Sequence, residues 1–124
     1  MKRLIAAGIL LVFVITSYIV SYSYIDKTCQ KTNKMLNECV TAYQENKNPK
    51  EKAENLKDFW KRREKGLSLF SNHQSIDEIE LAIELLSVYS TSSQKELFFE
   101  YSEKVKTLVH QLKEDAIPGT HSIF

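Results

Sequence analysis

A run of 22 residues without a charge, Leu4 to Ile25, constrains this chain more than any other feature. As an α-helix the run would be about 33 Å long, at about 1.5 Å per residue. That length matches the hydrocarbon core of a bilayer, which is about 30 Å thick. Tyrosine at the edge of such a span places its ring in lipid and its hydroxyl among the headgroups. Three tyrosines cluster at the C-terminal end of the run: Tyr18, Tyr22 and Tyr24. We therefore expect residues 1–25 to form a membrane anchor, with the lipid bilayer as the partner of residues 4–25.

A cleaved signal peptide is the alternative interpretation of this run. The apolar region of a signal peptide is usually about 7–15 residues long and is followed by small residues at the cut. The run here is longer and ends in bulky tyrosines, which favours an uncleaved signal-anchor. A cut after Ser23 stays open as the alternative.

The charges on either side of the run give only a weak indication of its orientation. Lys2 and Arg3 precede it, but Lys27, Lys31 and Lys34 follow it closely. The short charged N-terminal tail favours a single-pass protein with the N-terminus inside. We therefore expect the rest of the chain to lie outside the cytoplasm, at the cell membrane.

The remainder of the chain is close to neutral and poor in residues that break helices. Residues 26–124 carry 15 Lys and Arg against 16 Asp and Glu, a net charge of −1, so no nucleic-acid partner is indicated. The glycines and prolines after the run are few, which favours helices over a turn-rich sheet. They are Pro49, Gly66, Pro118 and Gly119.

Apolar side chains recur in steps of three and four residues, the period of a helix face. The first stripe continues from the anchor, so the anchor helix is expected to run on to about Glu45. A second helix is expected from Pro49, capped by Asn48, with an end or a loose region near Gly66. The expected stripes are Ile25, Cys29, Thr32, Leu36, Cys39 and Tyr43 in the first helix, and Ala53, Leu56, Trp60, Arg63, Leu67 and Phe70 in the second.

Two further helices are expected in the second half of the chain. The third begins near Gln74 or Ser75, with Ser75 as its cap, and the fourth follows Ser93 as its cap and ends before Pro118. The expected core stripes are Ile76, Ile79, Ile83 and Leu86 in the third helix, and Phe98, Tyr101, Val105, Leu108 and Leu112 in the fourth, flanked by Val109.

The chain is therefore expected to be all-α, with the anchor helix continuing into an antiparallel up-down bundle of about four helices over residues 26–117. Residues 118–124 would form a C-terminal tail. Residues 49–70 have a net charge of +3 and residues 76–116 a net charge of −5. This contrast predicts ion pairs between the helices, each worth only about 0–1 kcal/mol where it is exposed.

One stretch of the third helix carries a candidate site. His73, Asp77, Glu80 and Glu84 are spaced to lie along one helix face, and a histidine with carboxylates can bind a divalent metal. However, the Glu-x-x-His pairs of a di-iron bundle are missing, and the nearest related pair is His110 with Glu114. The favoured interpretation is a solvated helix face, with no metal and no cofactor.

Catalytic groups are not evident in the sequence. Cys29 and Cys39 would be about 15 Å apart on one helix, too far for a disulfide within the chain. They are expected to be half-buried, and whether either forms an intermolecular disulfide stays open. Without a glycine-rich phosphate loop or a nucleophile elbow, we expect no enzyme. The basic run Lys61 to Lys65 is expected to be a solvated face rather than a lipid contact, and Trp60 a core residue.

A resemblance adds to this interpretation. The stretch "FSNHQSIDEIELAIELLSVY" and the ending Ile123-Phe124 resemble the bacterial family called domain of unknown function 4363. The residues that carry the resemblance are Phe70, His73, Ile76, Asp77, Ile79, Glu80, Ile123 and Phe124. The resemblance implies a small single-span envelope protein of spore-forming Gram-positive bacteria, and it implies no known activity. The family ending is Asn-Ile-Phe, whereas this chain has Ser122 before the last two residues.

The function expected from these features is a structural or protein-interaction role in the cell envelope, through a protein partner or self-association. A ligand- or metal-sensing bundle that uses His73, Asp77 and Glu80 is the alternative. The residues singled out for a structural or interaction role are His73, Asp77, Glu80, Trp60, Ile123 and Phe124.

Overall fold

The computed structural model describes residues 1–116, which form four α-helices joined by short turns. The helices are α1 (Lys2–Glu45), α2 (Pro49–Ser68), α3 (His73–Tyr89) and α4 (Lys95–Asp115). The expected all-α class is confirmed. The expected tail, 118–124, lies outside the described residues, and with it the two C-terminal residues singled out above, Ile123 and Phe124.

Helix α1 is uninterrupted from Lys2 to Glu45, as the continuous stripe of apolar residues predicted. Residues 2–20 of this helix are exposed, and burial by the other helices begins only beyond them. The stripe from Ile25 to Cys39 is fully buried, and Tyr43 is half-buried. In the part of the chain that the structure describes, α1 is the one helix long and apolar enough to cross a membrane.

Each helix packs against its neighbours in sequence, and α4 returns to pack against α1. Helices α1 and α3 do not contact each other, and neither do α2 and α4, so the four form a ring around one core. This is the up-down arrangement that short connections impose on antiparallel helices. The largest completely buried side chains come from all four helices: Trp60, Phe98, Leu56, Leu67, Ile79, Ile83, Leu86, Val105, Val109, Thr28, Thr32 and Cys29.

The turn between α1 and α2 is built on two asparagines. Asn46 and Asn48 both adopt left-handed backbone conformations, which asparagine tolerates better than most residues. Asn48 precedes α2 as expected, but its side chain does not cap the backbone; it donates a hydrogen bond to Glu51 Oε2 at 2.8 Å. The position of the cap was therefore predicted correctly, and its hydrogen bond was not.

Helix α2 ends two residues after Gly66, which confirms the expected end near this glycine. The helix continues to Ser68, and the ring of Tyr24 from α1 packs against Gly66 where a β-carbon would stand. The Tyr24 hydroxyl donates a hydrogen bond to the backbone oxygen of Arg63 at 3.3 Å. Arg63 in turn stacks over the rings of Tyr24 and Phe59, which explains a cation on an otherwise apolar stripe.

The starts of α3 and α4 differ from the expected ones. Asn72 caps α3, because its Oδ1 accepts a hydrogen bond from the backbone N–H of Gln74 at 2.9 Å, so the expected cap at Ser75 is wrong. At the start of α4, Ser92 Oγ accepts from the N–H of Gln94 at 3.0 Å, and Ser93 is not the cap. In both places a polar residue closer to the turn provides the acceptor.

Two side chains on the expected stripes are placed differently. Phe70 lies beyond the end of α2 and is 44% exposed, so it is not a core residue. In α4 the buried face includes Ser102 and Val109, whereas Tyr101 and Leu108 are half-buried. Phe98 fixes this rotation, because its ring stacks on Tyr43 with centroids 3.9 Å apart.

Ion pairs do not join the basic α2 to the acidic α3 within residues 1–116. One pair that links two helices is Lys113 Nζ with Asp26 Oδ1, at 3.0 Å, between α4 and α1. The hydrogen bond and the charge of Asp26 raise the pKa of the Lys113 amine. The contrast in net charge therefore does not produce ion pairs between α2 and α3 among the described residues: Lys61, Arg62 and Lys65 are exposed, and Arg63 stacks on aromatic rings.

Candidate functional site

His73 is the first residue of α3 and its side chain is exposed. Asn72 supplies the cap just before it, so the imidazole is not needed to satisfy the helix end. The remaining members of the candidate face follow along α3. Asp77 is exposed, and Glu80 and Glu84 are half-buried where α3 packs on α2.

A fourth carboxyl group, Glu64 of α2, lies against this face. It is not among the residues predicted from the sequence. Glu64 is half-buried, and its Oε1 is shielded from solvent and accepts no hydrogen bond. Glu80 is close enough to form a hydrogen bond with Glu64 when one of the two carboxyl groups is protonated, and the charge of Asp77 also acts on Glu64. We call Glu64, Asp77 and Glu80 the carboxyl cluster.

The environment of Glu64 favours its protonated form. Burial raises its pKa, and the hydrogen bond with Glu80 and the charges of Glu80 and Asp77 raise it further, against the opposing charge of Lys61; the resulting pKa is about 7. Two ionised carboxylates cannot hydrogen-bond to each other, whereas a carboxylic acid can donate to a carboxylate. The carboxyl cluster can therefore hold one proton between α2 and α3 near neutral pH.

The same side chains do not form a metal site. Among residues 1–116, no group of three or more His, Cys, Asp or Glu side chains has a geometry that could hold a metal ion. His110, the other candidate ligand, lies on α4, where its Nε2 is 2.9 Å from Glu114 Oε1 and both side chains are exposed. An open groove along α1, lined by Asn33, Asn37 and other polar residues, includes none of the candidate residues.

Trp60 and the two cysteines belong to the core. Trp60 is 0% exposed, as expected. Cys29 and Cys39 are free and buried, at 1% and 0%, rather than half-buried. Their thiols lie 3.7 Å from the backbone oxygens of Val109 and Pro49, and burial raises both thiol pKa values to about 11. Thiols placed in this way cannot reach a second chain while the bundle is folded.

The comparison with protein families matches residues 19–121 to a family described as Domain of unknown function (DUF4363). The chain belongs to this family. The matched segment covers the bundle, including the carboxyl cluster, and begins near the tyrosine end of the apolar run. It stops before Ile123 and Phe124, so the resemblance rests on the helical part of the chain. The searches of curated proteins and of solved structures find no match.

Glu64 could have been found from the sequence by pairing α2 with α3. Glu64 stands about as many residues before the turn between these helices as Asp77 stands after it. In an antiparallel pair, residues equally far from the turn lie at the same level. The position of Glu64 in the basic run drew attention to its cationic neighbours instead.

Proposed function

We propose that this protein is a single-pass, membrane-tethered helical bundle with a structural or protein-interaction role in the cell envelope. One observation carries the proposal: a single helix, α1, is both the exposed apolar segment and one wall of the bundle. An apolar helix with no protein around it requires lipid or another protein to cover it. In this proposal the N-terminus lies inside the cell and the bundle outside the cytoplasm.

We further propose that the protein is not an enzyme. Its only two thiols, Cys29 and Cys39, are buried and have a raised pKa, so neither is a nucleophile at neutral pH. The two histidines in the described residues, His73 and His110, are exposed on different helices. These placements support a binding or scaffolding role over a catalytic one.

Crosslinking in native membranes followed by mass spectrometry tests the proposed interaction role. We expect covalent adducts with a second copy or with another envelope protein. A protein that stays monomeric and without partners under conditions that crosslink known membrane complexes would overturn it. A C-terminal reporter enzyme that is active only outside the cytoplasm tests the orientation separately.

A sensing role that uses the His73, Asp77 and Glu80 face is the second candidate, and the carboxyl cluster favours it. A proton shared between Glu64 and Glu80 near neutral pH would couple the packing of α2 on α3 to external acidity. Titration of the full chain with acid and with divalent metals, while unfolding is followed by the fluorescence of the buried Trp60, tests both versions. Unfolding midpoints that move with neither would remove this candidate.

A further inference from the structure

We propose that the bundle makes a second contact with the bilayer through its base, defined as residues 69–72 between α2 and α3. In this contact Leu69 and Phe70 enter the headgroup region, and the exposed cations at the end of α2 face anionic lipid headgroups. The proposal rests on the membrane tether proposed above.

Tyr24 fixes the height of the base relative to the apolar run. Its hydroxyl bonds to Arg63, its ring lies against Gly66, and its centroid is 6.1 Å from that of Phe70. Because α2 runs antiparallel to α1, residues beyond Gly66 lie on the side of the membrane span. At about 1.5 Å per residue, Leu69 lies about 4.5 Å closer to the membrane span than Gly66, at about the height of Ser21 in α1.

The bilayer boundary falls at the same level. A helix that enters the hydrocarbon at Leu4 has crossed about 30 Å by Ser23. Burial of α1 by the bundle begins at Ser21, so the exposed part of the helix and the span have the same end. The base therefore reaches the headgroup region without any change in the fold.

The side chains of the base are suited to the headgroup region. Leu69 is 77% exposed and Phe70 is 44% exposed, two adjacent large apolar residues at a turn. Other exposed apolar residues outside the span, such as Leu81 at 57%, lie on the outer face of α3. Leu81 is about 13 Å farther from the membrane span than the base, at about 1.5 Å per residue, and cannot reach the same lipid.

Charge at the end of α2 fits an anionic surface. Lys61, Arg62 and Lys65 are exposed on one side of the helix. Lys61, the most distant of them, lies about 7 Å farther from the span than Gly66. All three are therefore within about one Debye length, 8–10 Å, of the headgroups, where attraction to anionic lipid is effective.

Site-specific fluorescence in nanodiscs tests the contact on the full-length chain. The substitution Leu69→Cys introduces a thiol that can be labelled selectively, because Cys29 and Cys39 are buried. With nitroxide groups on the lipid headgroups, we expect the label at 69 to lose most of its emission. A label at Leu81→Cys is the matched control and should keep its emission; equal quenching at 69 and 81 would overturn the proposal.

A third label separates failure of this contact from failure of the tether. A label at Ile15→Cys lies within the span and should be quenched by nitroxides placed deep in the acyl chains. If 15 is quenched and 69 is not, the second contact is wrong and the tether stands. If 15 is not quenched, the tether itself is wrong.

Lipid charge tests the role of the cations. We expect stronger quenching at 69 in phosphatidylglycerol-containing nanodiscs than in pure phosphatidylcholine. The combined substitutions Lys61→Gln, Arg62→Gln and Lys65→Gln should abolish this difference. A difference that survives the three substitutions, or is missing from the parent chain, would overturn the assignment of these cations.

Discussion

Replacing Glu64 by glutamine is expected to stabilise the bundle at pH 8 and to have much less effect at pH 5. The folded protein holds a proton on Glu64 up to a pKa of about 7, whereas the ordinary glutamate value is 4.5. The stability that comes from this proton is therefore fully present below about pH 4.5, and it is lost as the pH rises through about 7. At pH 8 the ionised Glu64 is partly buried and faces Glu80 and Asp77, and the neutral amide of glutamine removes both the cost of burying the charge and the repulsion.

The size of the effect follows from the difference between the two pKa values. Each pH unit of difference corresponds to about 1.4 kcal/mol, which sets an upper limit of about 3 kcal/mol for Glu64. Because Glu64 is only half-buried, solvent screens part of this interaction. We therefore expect Glu64→Gln to raise the free energy of unfolding by about 1–2 kcal/mol at pH 8.

Urea unfolding of the full-length protein in detergent micelles measures this change. The single tryptophan, Trp60, is completely buried, so its emission reports unfolding of the bundle rather than of the span. With a slope of about 1–2 kcal/mol per molar urea, the midpoint at pH 8 should rise by about 1 M. Glu103→Gln, an exposed residue on α4, removes the same charge away from the carboxyl cluster and is the matched control.

Two outcomes would contradict the role of the carboxyl cluster. If Glu64→Gln and Glu103→Gln change the midpoint equally at pH 8, the effect is one of net charge, and the contact between Glu64 and Glu80 is not responsible. A variant that is less stable than the parent at pH 8 would show that the Glu64 carboxylate is favourably paired instead.

Three further predictions follow from the packing. Gly66→Ala should lower the free energy of unfolding, measured in urea, by about 1 kcal/mol. Alanine has the better helix propensity, but its β-carbon would displace the Tyr24 ring. In a Tyr24→Ala background the same substitution should be neutral or stabilising. Asn72→Ala should cost about 1 kcal/mol through loss of the α3 cap, measured in the same way. Cys29 and Cys39 should resist thiol reagents at pH 8 in the folded protein and react within minutes in urea, because only about a thousandth of each thiol is ionised when the pKa is about 11.

Each of these three predictions has a control or an outcome that would contradict it. Ser75→Ala is the control for the cap and should change the free energy of unfolding by less than about 0.5 kcal/mol, as usual for a surface site; a larger loss there than at Asn72 would restore Ser75 as the cap. A Gly66→Ala effect that persists without the Tyr24 ring would place its cause elsewhere. Rapid labelling of either cysteine in the native protein would mean that the bundle opens locally.

The periodic elements of this fold could be predicted from the sequence. The stripe from Ile25 to Cys39 is predictable because steps of three and four residues place its apolar side chains on one face of a helix. In the structure this face of α1 is buried in the core. Ile76, Ile79, Ile83 and Leu86 were correct for the same reason. Where a stripe is wide, as in α4, the pattern does not fix the rotation of the helix.

The helix starts and the proton affinity of the carboxyl cluster needed tertiary information. Asn72 and Ser75 are both suitable caps, and local rules do not choose between them. Gly66 was interpreted by its backbone freedom, although its importance lies in the space that it leaves for Tyr24 on another helix. The same limit applies to the raised pKa of Glu64, because burial in the folded bundle is its largest cause and Glu80 and Asp77 of α3 raise it further.

The unbroken α1 has a mechanical consequence for a tethered bundle. A helix of 44 residues is about 66 Å long, and about 37 Å of it, from Ser21 to Glu45, lies within the bundle. If the apolar part of α1 spans a bilayer, as proposed, a tilt of that part rotates the bundle with it, because the helix has no hinge between the two parts. At a typical tilt of about 20°, the end of the bundle near Glu45 would be displaced sideways by about 13 Å. Changes in bilayer thickness that alter this tilt would then change the position of the end of the bundle near Glu45. On one side, contact between the base at Leu69 and the bilayer would limit the tilt.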